Sequence, residues 1–137
     1  EFRRVLFRSV GYLKAAEYFK SEAADELIHA EGLQKYLTDW NMQPLLMEIS
    51  MPEKVDGLVD AIEKAYKMEY ALYSEYEDIS AKILPKDIST FDFLQGYRTI
   101  QRLAVAEYST FLNQLDTIDK EDKNWVWEFE KRAFKNK

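Results

Sequence analysis

Apolar residues recur along this chain at alternating spacings of three and four, over three long stretches. The middle stretch places Leu58, Ile62, Ala65, Glu69, Leu72, Tyr76, Ile79 and Ile83 on this rhythm without a slip. The last carries Thr90, Leu94, Tyr97, Gln101, Ala104, Tyr108, Phe111, Leu115 and Ile118, and the first Tyr12, Ala15, Phe19, Glu22, Glu26, His29, Leu33 and Tyr36. A helix returns to the same face every 3.6 residues, so such rows are stripes turned toward neighbouring helices. The pattern predicts core helices over 12–37, 57–84 and 87–118, packed as a bundle.

The two joints differ. Leu84-Pro85-Lys86 is short, Pro85 stops one helix, and Asp87 or Ser89 can cap the next, so these two helices are expected to be antiparallel. The joint over 38–56 is long for a helix connection. Fully extended, its roughly 18 residues reach ~60 Å, more than the ~40 Å of a 26-residue helix. It can therefore run back along the bundle as a crossover and leave the first two helices parallel. Trp40, Leu45, Leu46, Met47, Ile49 and Met51 favour a strip lying on the bundle over a free loop. The tail over 119–137 carries Trp125, Trp127, Phe129 and Phe134 with Lys131, Arg132, Lys135 and Lys137, the pattern of a short amphipathic helix.

Composition agrees with an all-α chain. Four Gly and three Pro in 137 residues are too few turn formers for a sandwich or barrel of this length. The absence of cysteine excludes disulfides, thiolate metal sites and a cysteine nucleophile. A net charge of −6 argues against nucleic-acid binding, and no apolar run is long enough to span a membrane. The expectation is an acidic, soluble, cytoplasmic helical domain. The first nine residues, EFRRVLFRS, stand apart: they are similar to the in-frame translation of a short sequencing adapter, the other reading being a basic N-terminal arm. On the first reading the natural chain continues upstream of Val10, and the remainder, without three Arg and one Glu, carries −8.

Among the seam positions, Glu26, His29, Glu69 and Gln101 hold groups able to bind metal. A carboxylate buried among Leu, Ile and Tyr costs several kcal/mol, on the order of 3–5, unless it is paired or coordinated. Measured from Lys86, Glu69 lies 17 residues before the turn and Gln101 15 after it, which is the same level to within about 3 Å. Glu26 and Glu69 are likewise level if the first two helices are parallel. Glu26-Leu27-Ile28-His29 is a Glu-x-x-His, which points carboxylate and imidazole to one side. Oxygen donors with one imidazole suit Fe, Mn or Zn. Each residue also has a plain alternative: a register-setting or snorkelling Glu, a structural His, a Gln satisfied by a backbone carbonyl.

These residues carry a resemblance. The stretch from Leu13 to Leu37 with Glu26-x-x-His29 resembles the second helix of ferritins. Tyr66-Lys67-Met68-Glu69 resembles the third, and Phe91-Asp92-Phe93-Leu94-Gln95-Gly96-Tyr97 with Gln101 the fourth. The passage from Asp39 to Asp56 is similar to the ferritin crossover. The resemblance is to bacterial non-haem ferritins and implies a ferritin-like four-helix bundle, lacking its first helix here and ending in a short C-terminal helix. It implies a diiron centre in which Glu26 bridges two irons, His29 ligates the first, Glu69 ligates the second, and Gln101 supports the dioxygen side. It further implies oxidation of Fe(II) by dioxygen or peroxide and storage of the mineral in a 24-subunit homo-oligomeric shell.

The departures shape what to expect. The ferritin first helix brings a further Glu ligand and a Tyr, and without it the centre is expected to be weak or inactive and an apolar groove exposed. Ile100, Leu103 and Ala104 stand where bacterial ferritins add acidic residues, so a third iron site is not expected although Asp25 is retained; Glu107, one turn further along, could compensate, its favoured role being solvated or inter-subunit. A second Glu-x-x-His is missing, which separates the chain from bacterioferritins and rubrerythrins. The alternatives are a shell subunit with a slow, depleted centre and a metal-free helical scaffold.

Overall fold

The computed structural model describes residues 12–48, 50 and 53–135. The adapter-like segment 1–9, Ile49 and Met51 of the apolar strip, and Lys137 lie outside the described residues. Four α-helices and no strands are present among the described residues: α1 (Leu13–Asp39), α2 (Leu58–Ile83), α3 (Ile88–Asp116) and α4 (Trp125–Ala133). None of them is long and apolar enough to cross a membrane. One compact unit runs to Val55 and contains α1; the other, Asp56–Lys135, contains α2, α3 and α4.

Helix α1 passes through Gly32 and ends two residues beyond the predicted boundary, at a defined stop. Asn41 adopts φ 56°, the left-handed conformation that Asn tolerates. That turn lets the Met42 N–H reach the Leu37 carbonyl at 2.8 Å and the Asn41 N–H reach Thr38 at 2.9 Å. The two bonds make a Schellman stop, which satisfies carbonyls that the helix end leaves without partners. Burial in α1 is confined to Ala15, Ala16, Tyr18 and Phe19. Downstream, the strip expected to lie on the bundle is instead exposed: Leu45 is 87% accessible and Met47 80%. The described part of the passage has neither helix nor strand, so no backbone pairing holds its side chains against a surface.

The second unit starts at Gly57, whose φ of 111° suits a residue without Cβ. The Asp60 carboxylate reaches back to the Asp56 N–H at 2.9 Å and receives Lys64 at 3.0 Å, tying down the first turn of α2. Lys86 and Asp87 N–H groups fold back on the Ile83 carbonyl, at 2.8 and 2.9 Å. Asp87, not Ser89, then caps α3 by accepting from the Thr90 N–H at 3.0 Å and from its hydroxyl. Cross-helix pairs run in opposite chain order, Glu69 with Gln101, Tyr76 with Tyr97 and Glu77 with Arg98, so α2 and α3 are antiparallel.

About half of the seam positions of this unit are buried, Leu58, Ile62 and Ala65 on α2, Leu94, Gln101, Tyr108, Phe111 and Leu115 on α3, and Ile118 just beyond it, and the others are half-buried except one. Ile79 is the exception, being exposed, while Ser80 beside it is fully buried with its hydroxyl unpartnered. The tail docks on its own unit. Phe129 of α4 and Phe134 at its C-terminal cap meet Phe111 of α3 edge-on, with ring centroids 5.4 to 6.1 Å apart. That three-ring cluster anchors a nine-residue helix too short to persist alone. In the connection, Lys120 folds back on α3 by donating to the Leu115 carbonyl at 2.9 Å.

Candidate metal centre

The four candidate ligands fall into two pairs, one on each compact unit. On α1, the i, i+3 spacing sets the His29 Nδ1 3.4 Å from Glu26 Oε1. The i, i+3 spacing thus turns the imidazole and the carboxylate toward each other on one side of α1. Their burial differs from the seam expectation: the His29 side chain is 25% accessible and that of Glu26 54%. Glu26 therefore keeps most of its hydration and does not carry the desolvation cost expected of a buried seam carboxylate.

The other pair bridges α2 and α3. Gln101 is 4% exposed, in a row that otherwise presents Leu94, Tyr97, Ala104 and Tyr108. Its Nε2 donates to the Glu69 backbone carbonyl at 3.0 Å and to the Glu69 carboxylate. Both amide hydrogens thus find acceptors on one residue, and the Glu69 carboxylate is oriented from across the seam. The plain alternative for Gln101, satisfaction by a backbone carbonyl, is present together with the carboxylate contact. Asp25 is exposed and Glu107 half-buried. Among the described residues no three His, Asp or Glu side chains are gathered so as to hold a metal ion.

Two further features of this seam were not evident in the spacing. Tyr76 stacks on Tyr97, centroids 6.0 Å apart and ring planes 19° from parallel. Burial pushes the Tyr97 phenol above its ordinary value, because the phenolate would lose its hydration. One residue on, the Arg98 guanidinium lies over the Phe91 ring at 4.7 Å and approaches Glu77 at 3.9 Å. Long cationic side chains are ordinarily solvent-facing, and only the cross-helix register revealed this one as a clamp between α2 and α3. As to chemistry, carboxylate oxygens, an amide and an imidazole are donor types that ferrous and ferric iron accept.

Comparison with known proteins places this geometry in context. The chain is 29% identical over 106 residues to a bacterial non-heme ferritin of Campylobacter jejuni, covering 76% of this chain and 64% of that protein. It is 27% identical over 115 residues to a probable bacterial non-heme ferritin-like protein of Haemophilus influenzae, covering 82% and 70% respectively. The chain thus spans less than two thirds of the length of the C. jejuni relative. Among solved structures, an open-pore ferritin from the hyperthermophilic archaeon Archaeoglobus fulgidus superposes with a TM-score of 0.87 at 21% identity, covering 98% of this chain and 83% of that one. Ferritin of the green alga Ulva pertusa gives 0.86 at 23% identity, covering 98% and 73%. The fold is accordingly the all-α, ferritin-like bundle. The family described as the ferritin-like domain matches residues 4–118, taking in part of the first nine residues as well as α1, α2 and α3. On that match, the chain belongs to the ferritin-like domain family.

Proposed function

We propose that this chain is an iron-storage subunit that oxidises Fe(II) to Fe(III), with Glu26, His29, Glu69 and Gln101 as the residues that hold two irons. Iron is here the substrate and cargo. The observation that carries the reading is the Glu69–Gln101 pair: a carboxylate held by a buried amide, inside a seam that elsewhere is apolar or aromatic. Packing alone gives no reason to place both groups at one level. In this reading Glu26 bridges the ions, His29 ligates the first and Glu69 the second, and the Gln101 amide holds the Glu69 carboxylate in place. Two Fe(II) would give one electron each to dioxygen, which with two protons leaves as hydrogen peroxide, and carboxylate charge would favour the Fe(III) formed. Peroxide is the alternative oxidant, and a homo-oligomeric shell in the cytoplasm the setting. The acidic balance of the chain, −6 overall, attracts further cations.

A second reading has its own support. Both Gln101 amide hydrogens are already taken up by Glu69, so the pair is satisfied as a structural lock between α2 and α3. On that reading the chain is a slow shell subunit or a metal-free scaffold. Anaerobic Fe(II) titration followed by admission of air distinguishes the readings. Saturation near two irons per chain with a fast rise of ferric absorbance supports ferroxidase activity. Slow mineral growth supports the shell subunit, and absence of binding the scaffold. Glu69→Ala and His29→Ala are expected to lower the bound iron; unchanged binding in both variants would sink the proposed site. Sedimentation of the same samples tests self-association.

A further inference from the structure

Helix α4 is held on α3 through Phe129, which also fixes the side of α4 that faces away. Residues four apart share a side of a helix, and the row opposite Phe129 reads Lys123, Trp127, Lys131 and Lys135. All four side chains are exposed, Trp127 to 64%. Turns extend the row beyond both ends of α4: the Trp125 N–H reaches the Asp122 carbonyl at 3.0 Å, and the Phe134 N–H the Glu130 carbonyl at 3.1 Å. The Lys131 ammonium lies over the Trp127 ring, 5.0 Å from its centroid, so cation and ring form one platform. Acidic neighbours are engaged elsewhere. Glu128 pairs with Arg132, Asp122 accepts from the Asn124 N–H at 2.8 Å, and Glu130 is buried. The result is a cationic, aromatic row about 18 Å long, on a chain whose acidic residues outnumber its basic ones, 25 to 19.

We propose that the Lys123–Trp127–Lys131–Lys135 row is a docking surface for a short, extended acidic segment of a partner protein. Charge and spacing both point to it. Successive positions of the row rise about 6 Å along α4, and same-side residues of an extended peptide rise about 6.6 Å. Carboxylates at alternate peptide positions therefore fall beside Lys123, Lys131 and Lys135, while an apolar residue between the first two covers Trp127. Lysine side chains are long enough to absorb the small difference in pitch. A lipid surface or a nucleic acid extends past the row and meets the acidic remainder of the chain. A segment of about seven residues ends with the row, and charges more than about 8 Å from it are largely screened. The proposal concerns α4 alone and holds whether or not the chain oxidises iron.

The test is binding of a fluorescein-labelled peptide, Asp-Ser-Leu-Ser-Asp-Ser-Asp, to the full chain by fluorescence anisotropy at low salt. A peptide of the same composition with its three Asp in one block serves as the register control. Saturable binding is expected, weakened about tenfold by Trp127→Ala and by Lys131→Glu. Lys86→Glu makes the same charge change on the exposed α2–α3 joint and should leave binding within about twofold, because its charge is screened from the row. All three substitutions are at exposed positions, and circular dichroism checks that the helices are retained. Absence of saturation, equal binding of the block peptide, or an equal loss in Lys86→Glu overturns the proposal. Tighter binding of phosphatidylserine vesicles or of oligothymidylate than of the peptide also overturns it, making the row a lipid or nucleic-acid surface. Sedimentation covers the remaining occupant: if Lys131→Glu breaks up an assembly that wild type forms, the row is a contact between copies of the chain and the proposal falls.

Discussion

Gln101→Leu removes the amide that spans the α2–α3 seam, and its cost follows from what that amide touches. Gln101 is nearly fully buried and donates to one charged and one neutral acceptor, the Glu69 carboxylate and the Glu69 carbonyl. A hydrogen bond to a charged group contributes about 1.5–3 kcal/mol and a neutral one about 1 kcal/mol. Leu is close in size and recovers about 1.5–3 kcal/mol by burying its apolar side chain. Glu69 is only half-buried, so its carboxylate can turn to water and limit the loss. The net expectation is a destabilisation of about 1–2 kcal/mol, read from urea unfolding by circular dichroism with the slope unchanged. Protein concentration is held constant because self-association shifts apparent stability. A double-mutant cycle with Glu69→Leu isolates the charged contact, with an expected coupling of about 1.5–3 kcal/mol. Coupling below about 0.5 kcal/mol, the usual scatter of independent sites, would refute the claim that this pair locks the two helices.

Phe129→Ala empties the centre of the three-ring cluster under α4 and should cost about 3–5 kcal/mol; hydrogen exchange should show protection lost over 125–133 before the long helices respond. At the end of α1, Asn41→Gly should be close to neutral, whereas Asn41→Val should destabilise by about 1–2 kcal/mol because a β-branched residue resists the left-handed conformation; thermal melts of the two variants report the difference. Stability should also fall in acid. The Asp56 N–H holds the Asp60 carboxyl below its ordinary value of 3.8, with Lys64 adding to the effect, and the Thr90 hydroxyl and N–H do the same for Asp87. A lowered folded-state value means the stabilisation is complete above the ordinary carboxylate range and is lost as pH falls below it. Asp60→Asn and Asp87→Asn should each flatten the acid limb of a stability–pH curve.

The α2–α3 hairpin was legible because every layer of the sequence agreed: the seam rhythm, the short joint with Pro85, and an aspartate at 87 able to cap. Counting from Lys86 was enough to place Glu69 and Gln101 at one level, and the structure has them in contact. The strip after α1 was less legible. Leu45, Leu46 and Met47 look like residues that seek cover, yet hydrophobicity says only that burial is favourable and not which surface provides it. Ile79 and Ser80 show the same limit at single-residue scale, where the heptad marks Ile79 as seam and packing buries Ser80 instead. A strict seven-residue row drifts by about 20° per repeat on a straight helix, enough to exchange neighbours near its end.

By itself, the sequence determined the helices, their stops and the antiparallel hairpin, because these depend on local propensity, capping and a periodic apolar stripe. It also marked the four polar seam residues, since a Glu or Gln on such a stripe is conspicuous whatever surrounds it. What only the tertiary structure decided were the contacts between helices: Gln101 on Glu69, Tyr97 stacked on Tyr76, Arg98 between Phe91 and Glu77, and Phe129 and Phe134 on Phe111. Such contacts depend on rotamers and on registers to within a fraction of a turn. A side chain's spacing fixes the face it occupies, while the partner it meets there is chosen by packing.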